Sequence, residues 1–129
     1  MLSDQLTLNG NARTSPTTAE GDVIYDMRYR DKEETVRVVA DAPAGQPQSL
    51  VIKHNDSKKS GITRRRTLVR IDKKVADATN GSQDLAVYLV IDAPLGTAVT
   101  EAQATALVGQ LAHLVLFTDA VESLQRGLA

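Results

Sequence analysis

The sequence predicts an α+β fold, an antiparallel β-sheet of five to six strands followed by two C-terminal α-helices. Three observations predict it. Apolar and polar side chains alternate with a period of two through most of 1–93, the spacing of a strand with two unlike faces. Turn-forming residues divide that region into short runs, with no helical segment between them to carry a parallel crossover. Past Pro94 and Gly96 the apolar positions recur at i, i+3, i+4 and i+7, and 100–128 reads as helix. The whole of 1–129 is expected to form one domain.

The first strand is "QLTLN" (Gln5–Asn9), which leads into the turn-rich loop "GNARTSPTTAEG". "DVIYDMRYR" (Asp22–Arg30) places Val23, Tyr25, Met27 and Tyr29 on one side and Asp26, Arg28 and Arg30 on the other. "DKEE" is a polar hairpin connection, after which "ETVRVVADA" sets Val36 and Val38 against Arg37 and Asp41. "PAGQP" interrupts the chain before "QSLVIKHND", where Leu50 and Ile52 make an apolar face and Ser49, Val51 and Lys53 lie opposite. "KKSGITRRRTLVRIDKKV", Lys58 to Val75, reads as one strand-like run. In it Val69 and Ile71 share a side, leaving Arg64, Arg66, Leu68, Arg70, Asp72 and Lys74 on the other.

Asn80-Gly81 in "DATNGSQD" is a tight-turn signal. The strand "DLAVYLVIDAP" follows, apolar on both faces: Leu85, Val87, Leu89 and Ile91 on one, Ala86, Tyr88 and Val90 on the other. Such a strand is expected to lie inside a sheet or to be covered twice. "TEAQ" (Thr100–Gln103) fits a capping box at a helix start. Ala104, Leu107, Val108, Leu111, Leu114 and Val115 then form the helix's apolar stripe, and Gly109 suggests a close backbone approach. The second helix begins at Thr118 or Asp119, with Val121, Leu124 and Leu128 as its apolar side.

The bulk composition excludes several function classes. There is no Cys, so neither disulfides nor thiolate metal sites are available. No apolar run approaches the ~18 residues of a membrane span, and "MLSDQLTLNG" is not a signal peptide, so a soluble chain with no membrane partner is expected. Catalysis finds no support. His54 and His113 fall in different elements, metal-ligand spacing is absent, and neither a glycine-rich phosphate loop nor a nucleophile motif accompanies them. No enzyme activity, metal or cofactor is expected.

Charge is distributed unevenly. Lys53–Lys74 holds nine Lys/Arg and two Asp, a balance of +7, whereas the other 107 residues hold six Lys/Arg and fourteen Asp/Glu, a balance of −8. Cations on an edge strand deter aggregation, which is one explanation. The other is a polyanion: alternating Arg side chains on one sheet face suit a phosphate backbone, where each neutralised phosphate releases a counterion. Tyr88 is either a core aromatic or a ring on that face, where it could stack an unpaired base.

With "SLVIKHNDSKKSGITRRRTLVRIDKKV", "ATNGSQD", "LAVYLVID" and "TEAQATALVGQLAHLVLF-TDAVESLQRGL" in that order, the chain resembles the coat proteins of single-stranded RNA bacteriophages, the leviviruses and their relatives. The resemblance is firmest from Gln48 onward. It implies an interlocked homodimer in which two sheets join edge to edge and each chain's helices, through Leu107, Val108, Leu111 and Leu114, cover the partner's apolar sheet face. It also implies an icosahedral shell with the sheet facing the genome, in a virion assembled in the cytoplasm of a bacterial host.

By the same resemblance Ser49, Val51, Lys53, Arg66, Leu68, Arg70, Tyr88 and Val90 would contact single-stranded RNA, and Arg64 extends the basic row. Some family members also repress translation by gripping an RNA hairpin. Leu68 and Val90 depart from the family's polar residues at those positions. Asp77, Thr79, Asn80, Gly81 and Ser82 fall in the loop (76–84) that surrounds the family's symmetry axes, and no cysteine is present there to cross-link a shell. A dimeric cellular RNA-binding regulator that builds no shell would share the basic face.

Overall fold

The structure, a computed structural model, describes residues 2–9, 22–96, 99–116 and 120–127. Its sheet is a six-stranded antiparallel meander in which every strand lies beside its neighbour in sequence. The strands are β1 (Gln5–Asn9), β2 (Asp22–Arg30), β3 (Glu34–Val38), β4 (Gln48–Lys59), β5 (Ile62–Asp77) and β6 (Gly81–Pro94). Two helices follow, α1 (Glu101–Leu116) and α2 (Ala120–Gln125). The chain divides into two units, Met1–Ala93 with the sheet and Pro94–Ala129 with the helices. The expected loop "GNARTSPTTAEG", the expected caps Thr118 and Asp119, and Leu128 lie outside the described residues.

Local chemistry accounts for the turns. Asp31 Oδ1 accepts the backbone N–H groups of Glu33 and Glu34 at 2.7 and 2.8 Å, which closes the β2–β3 connection. The run from Lys58 to Val75 is not one strand. Ser60 and Gly61 take φ of 53° and 79°, a two-residue turn that leaves Lys58 and Lys59 at the end of β4 and starts β5 at Ile62. Ser is an uncommon occupant of that conformation, so only the glycine signalled the break.

Register fixes which side chains share a face. Leu50 pairs with Ile71 and Ile52 with Val69, while Ser49, Val51, Lys53, Asn55 and Ser57 pair with Asp72, Arg70, Leu68, Arg66 and Arg64. The two unlike faces expected for β4 and β5 are therefore present. Register also places the side chains of β2 and β3. Val36 pairs with Val51 and Arg37 with Leu50, so the valines lie on the cationic side and Arg37 lies on the apolar one. A bulge between Met27 and Tyr29 moves Tyr29 opposite Val36, away from the face that holds Met27 and Tyr25. An inserted residue shifts the alternation by one, which no count of period two anticipates.

The chain's own core is small. Among the described residues the buried apolar side chains are Tyr25, Leu50 and Val51. Arg37 is 1% exposed and donates to Thr35 Oγ1 at 3.1 Å and to the Ser3 carbonyl at 2.7 Å, while its Nε has no partner. Tyr25 accepts a hydrogen bond from Gln48 Nε2 at 2.6 Å.

The helical unit opens with the expected capping box. Gln103 N–H donates to Thr100 Oγ1 at 3.2 Å, and Thr100 N–H donates to Gln103 Oε1 at 2.9 Å. No residue of α1 is buried. Gly109 has open space where a Cβ would stand, so no described residue makes the close approach expected there. No described helix is long and apolar enough to cross a membrane.

Candidate nucleic-acid interface

The site is built from one face of β4, β5 and β6. Antiparallel pairing puts Lys53 beside Leu68 and Asn55 beside Arg66, and opposed residues of an antiparallel pair project to the same side. β6 lies against β5. Its even-numbered side chains fall on that same side, because Asp92 bonds Arg64 and Asp84 bonds Lys74. Tyr88 therefore stands on the cationic face. It is 58% exposed and lines a shallow hollow with Ser49, Arg70, Asp72 and Ala86. Of the two placements left open for Tyr88 by periodicity, the core position is not the one taken.

The remaining expected contact residues differ in what they can offer. Lys53 and Arg66 are exposed, Arg64 and Arg70 half-buried. Ser49 and Leu68 are half-buried and Val90 is exposed. Val51 is only 9% exposed and leaves little surface for any ligand. Its central position, between Val36 and Arg70, makes it a packing residue.

Sequence reasoning missed the carboxylates. Arg70 Nε lies 2.7 Å from Asp72 Oδ2, Arg64 Nε lies 3.0 Å from Asp92 Oδ1, and Lys74 Nζ lies 3.7 Å from Asp84 Oδ1. Among the described residues no ion pair involves Lys53 or Arg66. The Arg70–Asp72 pair was open to detection, since residues two apart on a strand share a side. The Arg64–Asp92 pair depends on how β6 is aligned with β5, which one strand's pattern cannot reveal. On the opposite face Arg65 holds Asp56 through two bonds of 2.8 and 2.9 Å. Those bonds lower the Asp56 pKa and raise that of Arg65. His54 Nδ1 lies 2.9 Å from Thr67 Oγ1 on that same opposite face.

The loop expected over 76–84 is shorter in the structure, because β5 runs to Asp77 and β6 begins at Gly81. Asp77 Oδ1 accepts Thr79 N–H at 2.9 Å and its Oδ2 accepts Asn80 Nδ2 at 3.2 Å. These bonds, the Thr79 N–H foremost, hold the Asp77 carboxyl below the ordinary carboxylate range. Gly81 completes the turn at φ 80°, with Ser82 following in the strand. Leu107, Leu111 and Leu114 are exposed, Leu107 to 67%, and Val108 is half-buried.

Neither a protein-family model nor a curated protein matches the chain by sequence. Solved structures do match it. A virus-like particle of Wenzhou levi-like virus 4 is 18% identical with a TM-score of 0.67, over 83% of this chain and 78% of that one. A virus-like particle of Beihai levi-like virus 21 is 10% identical with a TM-score of 0.67, over 100% and 98%. The bacteriophage GA protein capsid is 10% identical with a TM-score of 0.64, over 97% and 95%. The chain has the levivirus coat-protein fold. Identities this low establish the architecture, a six-stranded meander followed by two helices, and the likeness runs through both units.

Proposed function

We propose that this chain is a structural capsid protein. Copies pair as homodimers, dimers close into an icosahedral shell in the cytoplasm of a bacterial host, and the cationic sheet face binds the single-stranded RNA enclosed in the virion. The observation that carries the reading is the surface left uncovered by a chain with the coat-protein fold. Leu85 and Val87 on β6 and Leu107, Leu111 and Leu114 on α1 supply apolar surface to be covered. Each fully buried Leu or Val contributes about 1.5–3 kcal/mol, so the dimer is the folding unit.

RNA binding rests on Lys53, Arg64, Arg66 and Arg70, with the exposed ring of Tyr88 as a stacking surface. The same face would hold a hairpin if the protein also represses translation, although Leu68 and Val90 offer no hydrogen bonds for base readout. The loop of Asp77, Thr79, Asn80, Gly81 and Ser82 serves contacts between dimers. Electron microscopy of the chain expressed alone tests assembly. Uniform spheres are expected, and dimers without shells would favour a cellular RNA-binding regulator. Arg66→Glu with Arg70→Glu should keep the dimer and strip RNA from particles, read as a fall in the 260/280 nm absorbance ratio. Unchanged RNA content would overturn the RNA-binding part.

A further inference from the structure

Arg64 and Arg70 do not stand free on the cationic face. Arg70 is bonded to Asp72 at 2.7 Å and Arg64 to Asp92 at 3.0 Å, each through Nε, and Arg64 also reaches the Asp92 carbonyl at 3.5 Å. Both pairs are partly exposed, with side-chain accessibilities of 38% and 32% in the first and 42% and 52% in the second. Exposed pairs of this kind are weak, so a phosphate can exchange with the carboxylate at small cost. Lys53 and Arg66 form no ion pair among the described residues, although Glu34 stands opposite Lys53 in the β3–β4 ladder, and the two cations lie diagonally across the β4–β5 ladder. Among the described residues the face therefore carries two classes of cation, one without a bonded carboxylate and one latched.

We propose that Asp72 and Asp92 are latches that set the strength and salt response of RNA binding. The inference rests on the reading of this face as an RNA surface. Lys53 and Arg66 make the first phosphate contacts. Arg70 and Arg64 engage only after leaving their carboxylates, which lowers affinity for RNA in general and holds both guanidinium groups in fixed positions between encounters. A weaker, exchangeable grip lets chains rearrange on RNA while a shell closes.

The test is binding of a fluorescent oligouridylate to the full-length chain, measured by anisotropy over a series of salt concentrations. Asp72→Asn and Asp92→Asn each preserve side-chain shape. Each is expected to tighten binding by about two- to fivefold, the range implied by an exposed ion pair, and to steepen the log–log salt slope by up to ~0.7. The decisive arm is the background. The gain from Asp72→Asn should vanish with Arg70→Gln present, and that from Asp92→Asn with Arg64→Gln present. A gain of equal size in those backgrounds means a simple charge effect and overturns the latch, as does no gain at all. Lys53→Glu with Arg66→Glu separates the two levels. If it weakens binding while the Asp variants do nothing, the latch fails and the RNA surface stands. If it too has no effect, the surface itself is wrong. The two pairs are independent, so a folding defect in one Asp variant leaves the other to decide.

Discussion

Leu50 on β4 and Val87 on β6 are both aliphatic residues in long strands, yet one is 3% and the other 63% exposed. Hydrophobicity does not explain the difference; neighbours do. β4 lies between β3 and β5, so Leu50 is flanked by Arg37 and Ile71. β6 ends the sheet, with β5 on one side and no described strand on the other. Its fourteen residues make a long, apolar, open edge, which proteins normally blunt with charge, proline or a covering element. Among the described residues, strands on both sides flank the middle of the sheet, whereas the end strand has a neighbour on one side alone.

The largest effect is expected from Val87→Asp. A carboxylate placed where apolar surface must be covered should abolish shell assembly, read by sedimentation and electron microscopy. Intact particles would mean that the β6 face stays open in the assembly. Next in size, Leu50→Ala should cost about 2–5 kcal/mol in denaturant unfolding, as for other buried leucines. Val87→Ala should cost less, and its cost should vary with protein concentration, because its cover comes by association. A concentration-independent loss for Val87→Ala would show that β6 is covered within the chain.

The smallest effect concerns the turns that close these strands. Asp31 is held below the ordinary carboxylate range first by the Glu33 N–H, then by the Tyr29 hydroxyl at 2.8 Å and the Glu34 N–H. Asp77 is lowered in the same way at the β5–β6 turn. A depressed folded-state pKa gives a contribution that is complete above the unfolded Asp value of about 3.9 and is lost as pH falls through the folded value. NMR titration should give midpoints below the ordinary range for both carboxyls. Asp31→Asn and Asp77→Asn should remove that part of the acid sensitivity. Ordinary midpoints would mean that neither turn is fixed by its aspartate.

Much of this fold is legible in the residues. Period two located the faces of β4 and β5, Asn80-Gly81 marked the turn before β6, and Thr100 with Gln103 announced α1 through a reciprocal pair of bonds. The break at Ser60-Gly61 escaped because Ser is an uncommon occupant of a left-handed turn, and other parts that escaped depend on relations between strands. The bulge at Met27–Tyr29 and the placing of Arg37 beside Leu50 follow from register, and so does the Arg64–Asp92 pair. The candidate site was legible as a set of cations. Its division into cations with and without a bonded carboxylate was not, because a carboxylate on β6 carries no mark of which arginine it will meet.

Arg37 has a consequence for how the sheet finds its alignment. Inside the sheet its guanidinium must keep its acceptors at Thr35 and Ser3 or leave buried donors unsatisfied. Sliding β3 by one residue would throw that group to the opposite side, break its bond to the Ser3 carbonyl, and bring Val36 or Val38 into its place. One sealed cation thus works as a key cut for a single setting of β3, and strand slippage, the common failing of valine-rich hairpins, is penalised at its midpoint.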